Sequence, residues 1–176
     1  MRILGIDPGF ERLGIAILEK ENNKTASAKG YGVSRKEKVI FSECFKTSSK
    51  LPFNERLFLI GEEVKKIIKK YKPEILAIET LFLNTNQKTV MRVAEARGVV
   101  IYEASVAHLK VFEASPPQIK MATTGYGHAD KEQMIKMVKI LVDINENKIY
   151  PPMRRASDDE LDAIAIALTA FAYNRN

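Results

Sequence analysis

Two short apolar segments of this chain each end in a carboxylate, and this pattern limits what the chain can fold into. R-I-L-G-I-D ends at Asp7, before Pro8 and Gly9, and E-I-L-A-I-E ends at Glu79. Such runs are typical of buried strands, and the Pro-Gly pair predicts a turn. Burying a carboxylate there is costly unless it is paired or bound to a cation, although a capping role stays open for each acid alone. If the strands are parallel neighbours, both carboxylates emerge at the edge where α/β sheets usually bind ligands.

Apolar periodicity along the rest of the chain predicts an α/β fold. Strands are predicted over residues 2–7, 13–19, 38–47, 74–79 and 110–114. Helices are predicted over residues 57–71, 86–107, 130–142 and 159–173. Residues 21–37 are mostly polar and predict an extended hairpin connection between the second and third strands. Three leading strands followed by helices and further strands indicate a mixed sheet with helices packed on it.

Two of these helices carry apolar stripes that predict core packing. In the helix over residues 86–107 the stripe is mostly small, has Gly98 beside it, and consists of Val90, Val93, Ala94, Arg97, Val100, Ile101 and Ala104. In the last helix the stripe consists of Leu161, Ile164, Ala165, Leu168, Phe171 and Ala172. Small side chains let another helix or a sheet approach closely, so both segments are expected to pack against the sheet.

The last helix begins with four acids: Asp158, Asp159, Glu160 and Asp162. Negative charge in a first turn offsets the helix dipole, and that role would explain one Asp. Four crowded acids repel one another, so a bound cation is the better explanation of the cluster. Asp159 and Asp162 share a helix face at i,i+3, and Asp158 and Asp162 share one at i,i+4. The spacing therefore does not choose between Asp158 and Asp159.

The ligand types favour a hard cation. Carboxylate oxygens suit Mg²⁺, with Mn²⁺ as a substitute, whereas Cys44, His108 and His128 show no zinc spacing. Two such ions together can activate a water molecule and stabilise the leaving oxygen in phosphodiester hydrolysis. Because the net charge is +6, a polyanionic partner is also favoured. Together these features predict a nuclease.

Length and composition limit the setting in which the chain works. Its 176 residues predict one domain, and the lone Cys44 cannot form an internal disulfide, which fits a reducing compartment. No apolar run approaches the roughly 20 residues that span a bilayer, and the N-terminal segment has no signal-peptide pattern. We therefore expect a cytoplasmic protein with no membrane partner.

Six motifs resemble those of the RuvC family of Holliday-junction resolvases and occur in the family's order. They are G-I-D-P-G at residues 5–9, A-I-E-T-L-F at 77–82, A-E-A-R-G at 94–98, P-Q-I-K at 117–120, G-H-A-D-K at 127–131 and D-E-L-D-A-I-A-I-A at 159–167. The resemblance implies one ribonuclease H-like nuclease domain over residues 1–176, with helices on both faces of a mixed sheet. It also implies a homodimer that makes paired, symmetric, magnesium-dependent nicks at four-way DNA junctions, with a RuvAB-type branch-migration complex as a further partner.

The resemblance also assigns catalytic residues. Its four metal-binding carboxylates correspond here to Asp7, Glu79, Asp159 and Asp162, which favours Asp159 over Asp158. Asp7 is expected to bridge two ions, so its neutralisation should be the most damaging single change. Lys120 and Lys131 correspond to basic residues near the cleavage site, and either could neutralise the scissile phosphate or its transition state; Lys131 is expected to be catalytic.

The DNA contacts predicted from the resemblance lie after Glu79 and near the cleavage site. Phe82 is expected to stack on an unpaired base, an interaction worth roughly 1–3 kcal/mol. Lys120 and Lys131 are expected near the scissile phosphate, and Lys88 and Arg92 are weaker candidates for phosphate contacts.

Other functions share part of this pattern. A related ribonuclease H-fold nuclease acting on flaps, R-loops or RNA would keep the same carboxylates. A junction-binding protein without catalysis would gain nothing from a negative pocket, and an actin-like ATPase would need a second such domain.

The chain departs from the family pattern at two places that affect substrate contacts. One is the long connection over residues 21–37, which could reach DNA or be an inert surface flap. The other is Phe10, after the D-P-G turn.

Overall fold

A computed structural model describes residues 1–20, 37–81, 87–144, 149–150 and 155–174. The predicted connection over residues 21–37 therefore lies outside the described residues, apart from its last position. Strands and helices follow the chain as β1 Arg2–Asp7, β2 Arg12–Glu19, β3 Glu37–Lys46, α1 Phe53–Tyr71, β4 Ile75–Glu79, α2 Gln87–Val106, β5 Lys110–Ala114, α3 Pro116–Thr124, α4 Lys131–Leu141, β6 Val142–Asp143, β7 Ile149–Tyr150 and α5 Asp158–Tyr173.

The strands form one mixed sheet, in the order β5-β4-β1-β2-β3-β6 among the described residues, with β7 also paired to β3. β1 is antiparallel to β2 and parallel to β4, and β4 is parallel to β5. Pairing of Ile6 with Ile78 brings the next residues, Asp7 and Glu79, to the same sheet edge. The two acid-ending strands are thus parallel neighbours, which is the condition under which both carboxylates were expected at one edge.

Helices cover both faces of this sheet, and alternation along the strands separates two apolar clusters. Leu4 and Ile6 of β1 face the cluster that contains α1 and α2. Ile3 of β1 and Ala16 of β2 belong to the opposite cluster, with α3, α4 and α5. The predicted α/β architecture with helices on both faces is therefore confirmed.

Helix α1 forms as its apolar spacing predicts. Ile60, Val64 and Ile67 are buried at i, i+4 and i+7, while lysines occupy the last turn. The helix ends at Tyr71 and is capped by Lys72, whose φ of 48° is left-handed, directly before Pro73.

The structure differs from the sequence prediction in three unpredicted elements and in two residues predicted to lie in apolar stripes. Helix α3 was not predicted, nor were the two-residue strands β6 and β7. In α2 the buried residues are Ala96, Val100 and Ala104, whereas the predicted core residue Ala94 is exposed. In α5 nearly every residue from 160 to 171 is buried, because the helix lies between the sheet and α3 and α4, and Ala172 is exposed beyond that contact.

Among the helices of the described residues, none has both the length and the apolar character needed to cross a bilayer.

Candidate active site

Helix α5 lies unusually close to the sheet because two glycines remove side chains from its path. A Cβ at Gly5 would lie 2.2 Å from the carbonyl oxygen of Ala163, and one at Gly14 would lie 2.1 Å from that of Asp159. The Gly14 position would also meet the Cβ of Asp7 at 3.1 Å. Because Gly14 is the strand partner of Asp7, the first turn of α5 comes directly beside the end of β1.

A pocket opens at the sheet edge where β1 and β4 end. Three predicted carboxylates line it, from β1, β4 and α5, together with two predicted lysines, from α3 and α4: Asp7, Glu79, Asp162, Lys120 and Lys131. Residues distant in sequence thus meet because two parallel strands and three helices converge at one edge. The structure therefore brings together five of the predicted site residues.

The carboxylates of this pocket strongly affect one another's ionisation. Burial, with the negative charges of Asp162, Glu79 and Asp159, raises the pKa of Asp7 to about 7, and Lys131 partly opposes the shift. Burial and Asp162 likewise raise the pKa of Glu79, against the effect of Lys120. Burial also raises the pKa of Asp162. The pocket therefore has an excess of negative charge that a cation would compensate.

The fourth predicted carboxylate, Asp159, has partners of its own. The Arg12 Nε donates to Asp159 Oδ2 at 2.9 Å, the Arg12 Nη2 pairs with the same oxygen, and the Cys44 thiol donates to it at 3.3 Å. Although burial acts to raise it, these hydrogen bonds hold the pKa of Asp159 below its usual range. Asp159 does not line the pocket, but its charge contributes to the raised pKa of Asp7.

The other two acids of the first turn have partners that need no cation. Glu160 is fully buried and accepts hydrogen bonds from the Ser42 hydroxyl and from the backbone N–H and hydroxyl of Ser157. Asp158 is exposed and pairs with Lys131 at 3.0 Å. Glu160 therefore caps the helix, so its presence in the cluster has an explanation other than a bound cation.

The two lysines reach the pocket from consecutive helices, Lys120 from the middle of α3 and Lys131 from the first position of α4. Lys120 lies on α3, which Ser115 caps by accepting from the Gln118 N–H, and Lys131 follows Asp130, the cap of α4. The family resemblance selected Lys120, but helix α3 was not predicted. Its location was still signalled by S-P-P-Q, since Ser at the cap, Pro at the first position and Gln at the third mark a helix start.

The predicted DNA contacts outside the pocket are only partly described. Phe82 and the side chain of Lys88 lie outside the described residues. Arg92 is exposed, and its guanidinium lies over the rings of Phe53 and Phe10, at 5.2 Å and 5.7 Å from their centroids. Phe10, the departure after the D-P-G turn, therefore packs beneath a predicted phosphate contact.

Two arginines that contact the predicted carboxylate residues were not selected from the sequence. Arg12 binds Asp159, and Arg97 of α2 donates its Nε to the backbone carbonyl of Glu79 at 3.0 Å. Arg97 was instead placed in an apolar stripe. Neither role had a local signal, because these partners are 147 and 18 residues away along the chain.

The donor set of the pocket fits magnesium. In the part of the chain that the structure describes, no group of three Asp, Glu, His or Cys side chains stands ready to hold an ion. Magnesium does not require such a cage, because it usually keeps several waters and binds through one or two carboxylates and substrate phosphates. Asp7, Glu79 and Asp162 supply oxygen ligands only, next to open space for a phosphate.

Comparison with known proteins identifies the family. A model of the family described as "Crossover junction endodeoxyribonuclease RuvC" matches residues 3–170. The chain belongs to the RuvC family. A RuvC protein of Halothermothrix orenii is 41% identical over 178 residues, covering 99% of this chain and 96% of that relative. The predicted family is therefore confirmed.

Solved RuvC structures agree with the fold. The RuvC structure from Thermus thermophilus matches with a TM-score of 0.80 and 32% identity, covering 99% of this chain and 96% of that one. The T. thermophilus RuvC solved in complex with a Holliday junction substrate matches with the same TM-score and 31% identity, covering 99% of this chain and 95% of that one. The ribonuclease H-like α/β fold expected of a RuvC protein is thus the fold of this chain.

Proposed function

We propose that this chain is a structure-selective endodeoxyribonuclease that resolves four-way DNA junctions in recombination and repair by paired, symmetric nicks. The observation that carries the proposal is the pocket in which Asp7, Glu79 and Asp162 meet Lys120 and Lys131 in a member of the RuvC family. A related protein, T. thermophilus RuvC, has been solved with a Holliday junction substrate. No comparable observation supports the alternative, a related nuclease that cuts flaps, R-loops or RNA.

The carboxylates are proposed to hold magnesium, with manganese as a substitute. Asp7, Glu79 and Asp162 would bind the ions, and Asp159 would join them by giving up its pair with Arg12. Bound magnesium would supply the Lewis acid that activates water and stabilises the leaving 3′ oxygen. Because the raised pKa of Asp7 favours a proton on its carboxyl when no metal is bound, Asp7 would lose that proton on helping to hold magnesium.

Positive side chains around the acids are proposed to hold the DNA strand. Lys120 and Lys131 line the pocket. The charge of Lys120 opposes the rise in the pKa of Glu79, and that of Lys131 opposes the rise in the pKa of Asp162, so both lysines interact electrostatically with the acids. We propose Lys131 as the catalytic lysine that offsets charge developing on the scissile phosphate, with Lys120 beside it. Phe82, Lys88 and Arg92 remain proposed contacts to the junction outside the pocket.

A homodimer is proposed because α2 exposes an apolar stripe. Met91, Tyr102 and Val106 are exposed on this helix, and a Cβ at Gly98 would have no atom within 4 Å. Positions 91, 98, 102 and 106 follow one helix face, which a second copy would cover. Two-fold pairing would present one pocket to each of two opposed DNA strands. Replacing Tyr102 with Glu is expected to yield monomers, measured by light scattering, that make unpaired nicks.

The cellular setting follows from the same proposal. Residues 1–176 are proposed to work as one nuclease domain in the cytoplasm, together with a RuvAB-type branch-migration complex. The single Cys44 suits a reducing compartment, and relatives such as that of H. orenii are bacterial.

Cleavage of a synthetic mobile four-way junction in Mg²⁺ tests the proposal. A flap, a linear duplex and an RNA–DNA hybrid serve as competing substrates, and Asp7→Asn is the inactive variant. Paired nicks on the junction alone are expected, and Asp7→Asn should lose at least about 100-fold in rate while still binding the junction. Faster cutting of the flap or hybrid would overturn junction selectivity, and junction binding without any cutting would favour a non-catalytic binder.

A further inference from the structure

Arg97 joins the ends of two strands beside the pocket without lining it. Its Nε donates to the backbone carbonyl oxygen of Glu79 at 3.0 Å, and its Nη2 pairs with the carboxylate of Glu113. Only 16% of the Arg97 side chain is exposed, against 50% for Glu113. The guanidinium therefore crosses from α2 to the ends of β4 and β5.

The bond to Glu79 falls where strand pairing gives way to the following segment. Glu79 is the last residue of β4 and pairs with Ala114, and the Thr80 N–H still donates to the Ala114 carbonyl at 2.9 Å. A charged donor forms a stronger hydrogen bond than a neutral one. Arg97 thus fixes the backbone at the residue whose side chain enters the pocket.

We propose that Arg97 is a positioning residue that orients the Glu79 carboxylate toward Asp7 and Asp162 for metal binding. The inference rests on the proposed function, in which Glu79 is a metal ligand. A ligand whose backbone can shift loses the geometry that its metal requires, and removing such outer partners typically weakens metal binding about 10–100-fold. Arg97 does not line the pocket, so it would act through Glu79.

Arg2 provides a matched control at the other end of the sheet. Its Nε donates to the Glu19 carboxylate at 2.8 Å, and its Nη1 donates to the backbone carbonyl of Tyr71, also at 2.8 Å. Arg2 and Arg97 therefore make the same pair of contacts, one carboxylate and one carbonyl. Only Arg97 makes them at a residue of the pocket. A purely structural role predicts similar effects of the two substitutions.

The test measures Mn²⁺ binding to the DNA-free protein by electron paramagnetic resonance, together with the Mg²⁺ concentration that half-saturates junction cleavage. Arg97→Gln is expected to weaken Mn²⁺ binding about 10-fold or more and to raise the Mg²⁺ requirement in parallel. Arg2→Gln is expected to leave both unchanged, whatever it does to thermal stability. Glu113→Gln, which keeps Arg97 but removes its ion pair, should show a smaller loss in the same direction.

Glu79→Gln separates failure of this inference from failure of the proposed function. If Glu79→Gln weakens Mn²⁺ binding and Arg97→Gln does not, Arg97 is only a structural link and the inference is overturned. If Glu79→Gln leaves Mn²⁺ binding unchanged, the proposed metal site fails, and the inference fails with it. If Arg97→Gln does not fold, Glu113→Gln decides, since unchanged Mn²⁺ binding in that variant overturns the inference.

Discussion

Near the pocket, the two faces of the sheet carry different kinds of side chain, although the same strands supply both. Towards α1 and α2, β1 and β2 present Leu4, Ile6, Leu13, Ile15 and Ile17, all buried. Towards α5, the same strands present glycine and alanine near the pocket, at Gly5, Gly14 and Ala16. Large side chains keep a helix at a distance from a sheet, and small ones let its backbone come close. The site lies where the strands carry small residues, so that α5 can approach the sheet closely.

The two faces also contribute differently to the free energy of the folded protein. Burial of aliphatic side chains on the α1 and α2 face contributes roughly 25 cal/mol for each Å² removed from water. On the α5 face the close approach buries Asp7, Glu79 and Asp162 near one another, and their raised pKa values show that this arrangement disfavours their charged forms. The α5 face therefore carries an unfavourable electrostatic energy that a bound cation would relieve.

Gly14→Ala should lower cleavage and stability together, because it fills the gap that defines the α5 face. The new Cβ would lie 2.1 Å from the carbonyl oxygen of Asp159, so the start of α5 must move away from Asp7. We expect junction cleavage to fall about 100-fold, as displacements of about 1 Å at catalytic groups can cause, and unfolding free energy to drop by roughly 1–3 kcal/mol. Cleavage rates and urea unfolding measure the two effects.

The matched change on the opposite face is Ile15→Val, one residue along the same strand. Ile15 is fully buried towards α1 and α2, so losing a methylene should cost about 0.5–1.5 kcal/mol while cleavage by the folded protein stays unchanged. Equal losses of cleavage in Ile15→Val and Gly14→Ala would show that the site does not depend on the close approach of α5.

The difference in unfolding free energy between Asp7→Asn and wild type should depend on pH, which is not expected for an aliphatic substitution. The pKa of Asp7 is about 7 in the folded protein, against an ordinary value of 3.8. Between about pH 4 and pH 7 the folded protein therefore keeps a proton that the unfolded chain has lost, so unfolding free energy falls as pH rises through this window. Since one pKa unit corresponds to about 1.4 kcal/mol, Asp7→Asn should stabilise the metal-free protein at about pH 8 by up to about 4 kcal/mol.

Urea unfolding in EDTA at about pH 5 and about pH 8 measures this effect, and Mg²⁺ provides its control. Magnesium should stabilise the wild-type protein at the higher pH and stabilise Asp7→Asn far less. If wild type and Asp7→Asn show the same pH dependence without metal, Asp7 does not carry the electrostatic energy assigned to the α5 face.

The fold was largely predictable because its strands and longer helices have strong local patterns. The bounds of β1 and β5 agree with those predicted, and α1 follows its apolar spacing. Helix α3 was missed because it has nine residues, of which only Ile119 and Thr123 are buried, so it has little apolar period to detect. Its S-P-P-Q start was the available signal. Strands of two residues, such as β6, have no period at all.

The site was predictable where one residue's context implied its chemistry. Asp7 and Glu79 were selected because a carboxylate at the end of a buried strand is costly unless it is paired or bound to a cation. The structure brings both into one pocket. The distinction among the acids of α5 was not available from spacing, since it depends on partners from other elements: Ser42 of β3 for Glu160 and Arg12 of β2 for Asp159. Such contacts arise only when the sheet and α5 assemble.

Asp158→Asn should have the smallest effect, and it sharpens the comparison within the first turn of α5. Asp158 and its partner Lys131 are both mostly exposed, and exposed pairs contribute little because water screens them. We expect unfolding free energy to change by less than about 0.5 kcal/mol and cleavage by no more than about twofold. Asp159→Asn, one residue later and facing Arg12, should instead lose at least about 100-fold in cleavage. Parallel rate measurements on the junction decide between these neighbours. A large loss in Asp158→Asn with near-normal cleavage in Asp159→Asn would move the proposed metal ligand to Asp158, because the i,i+4 pair with Asp162 satisfies the spacing equally well.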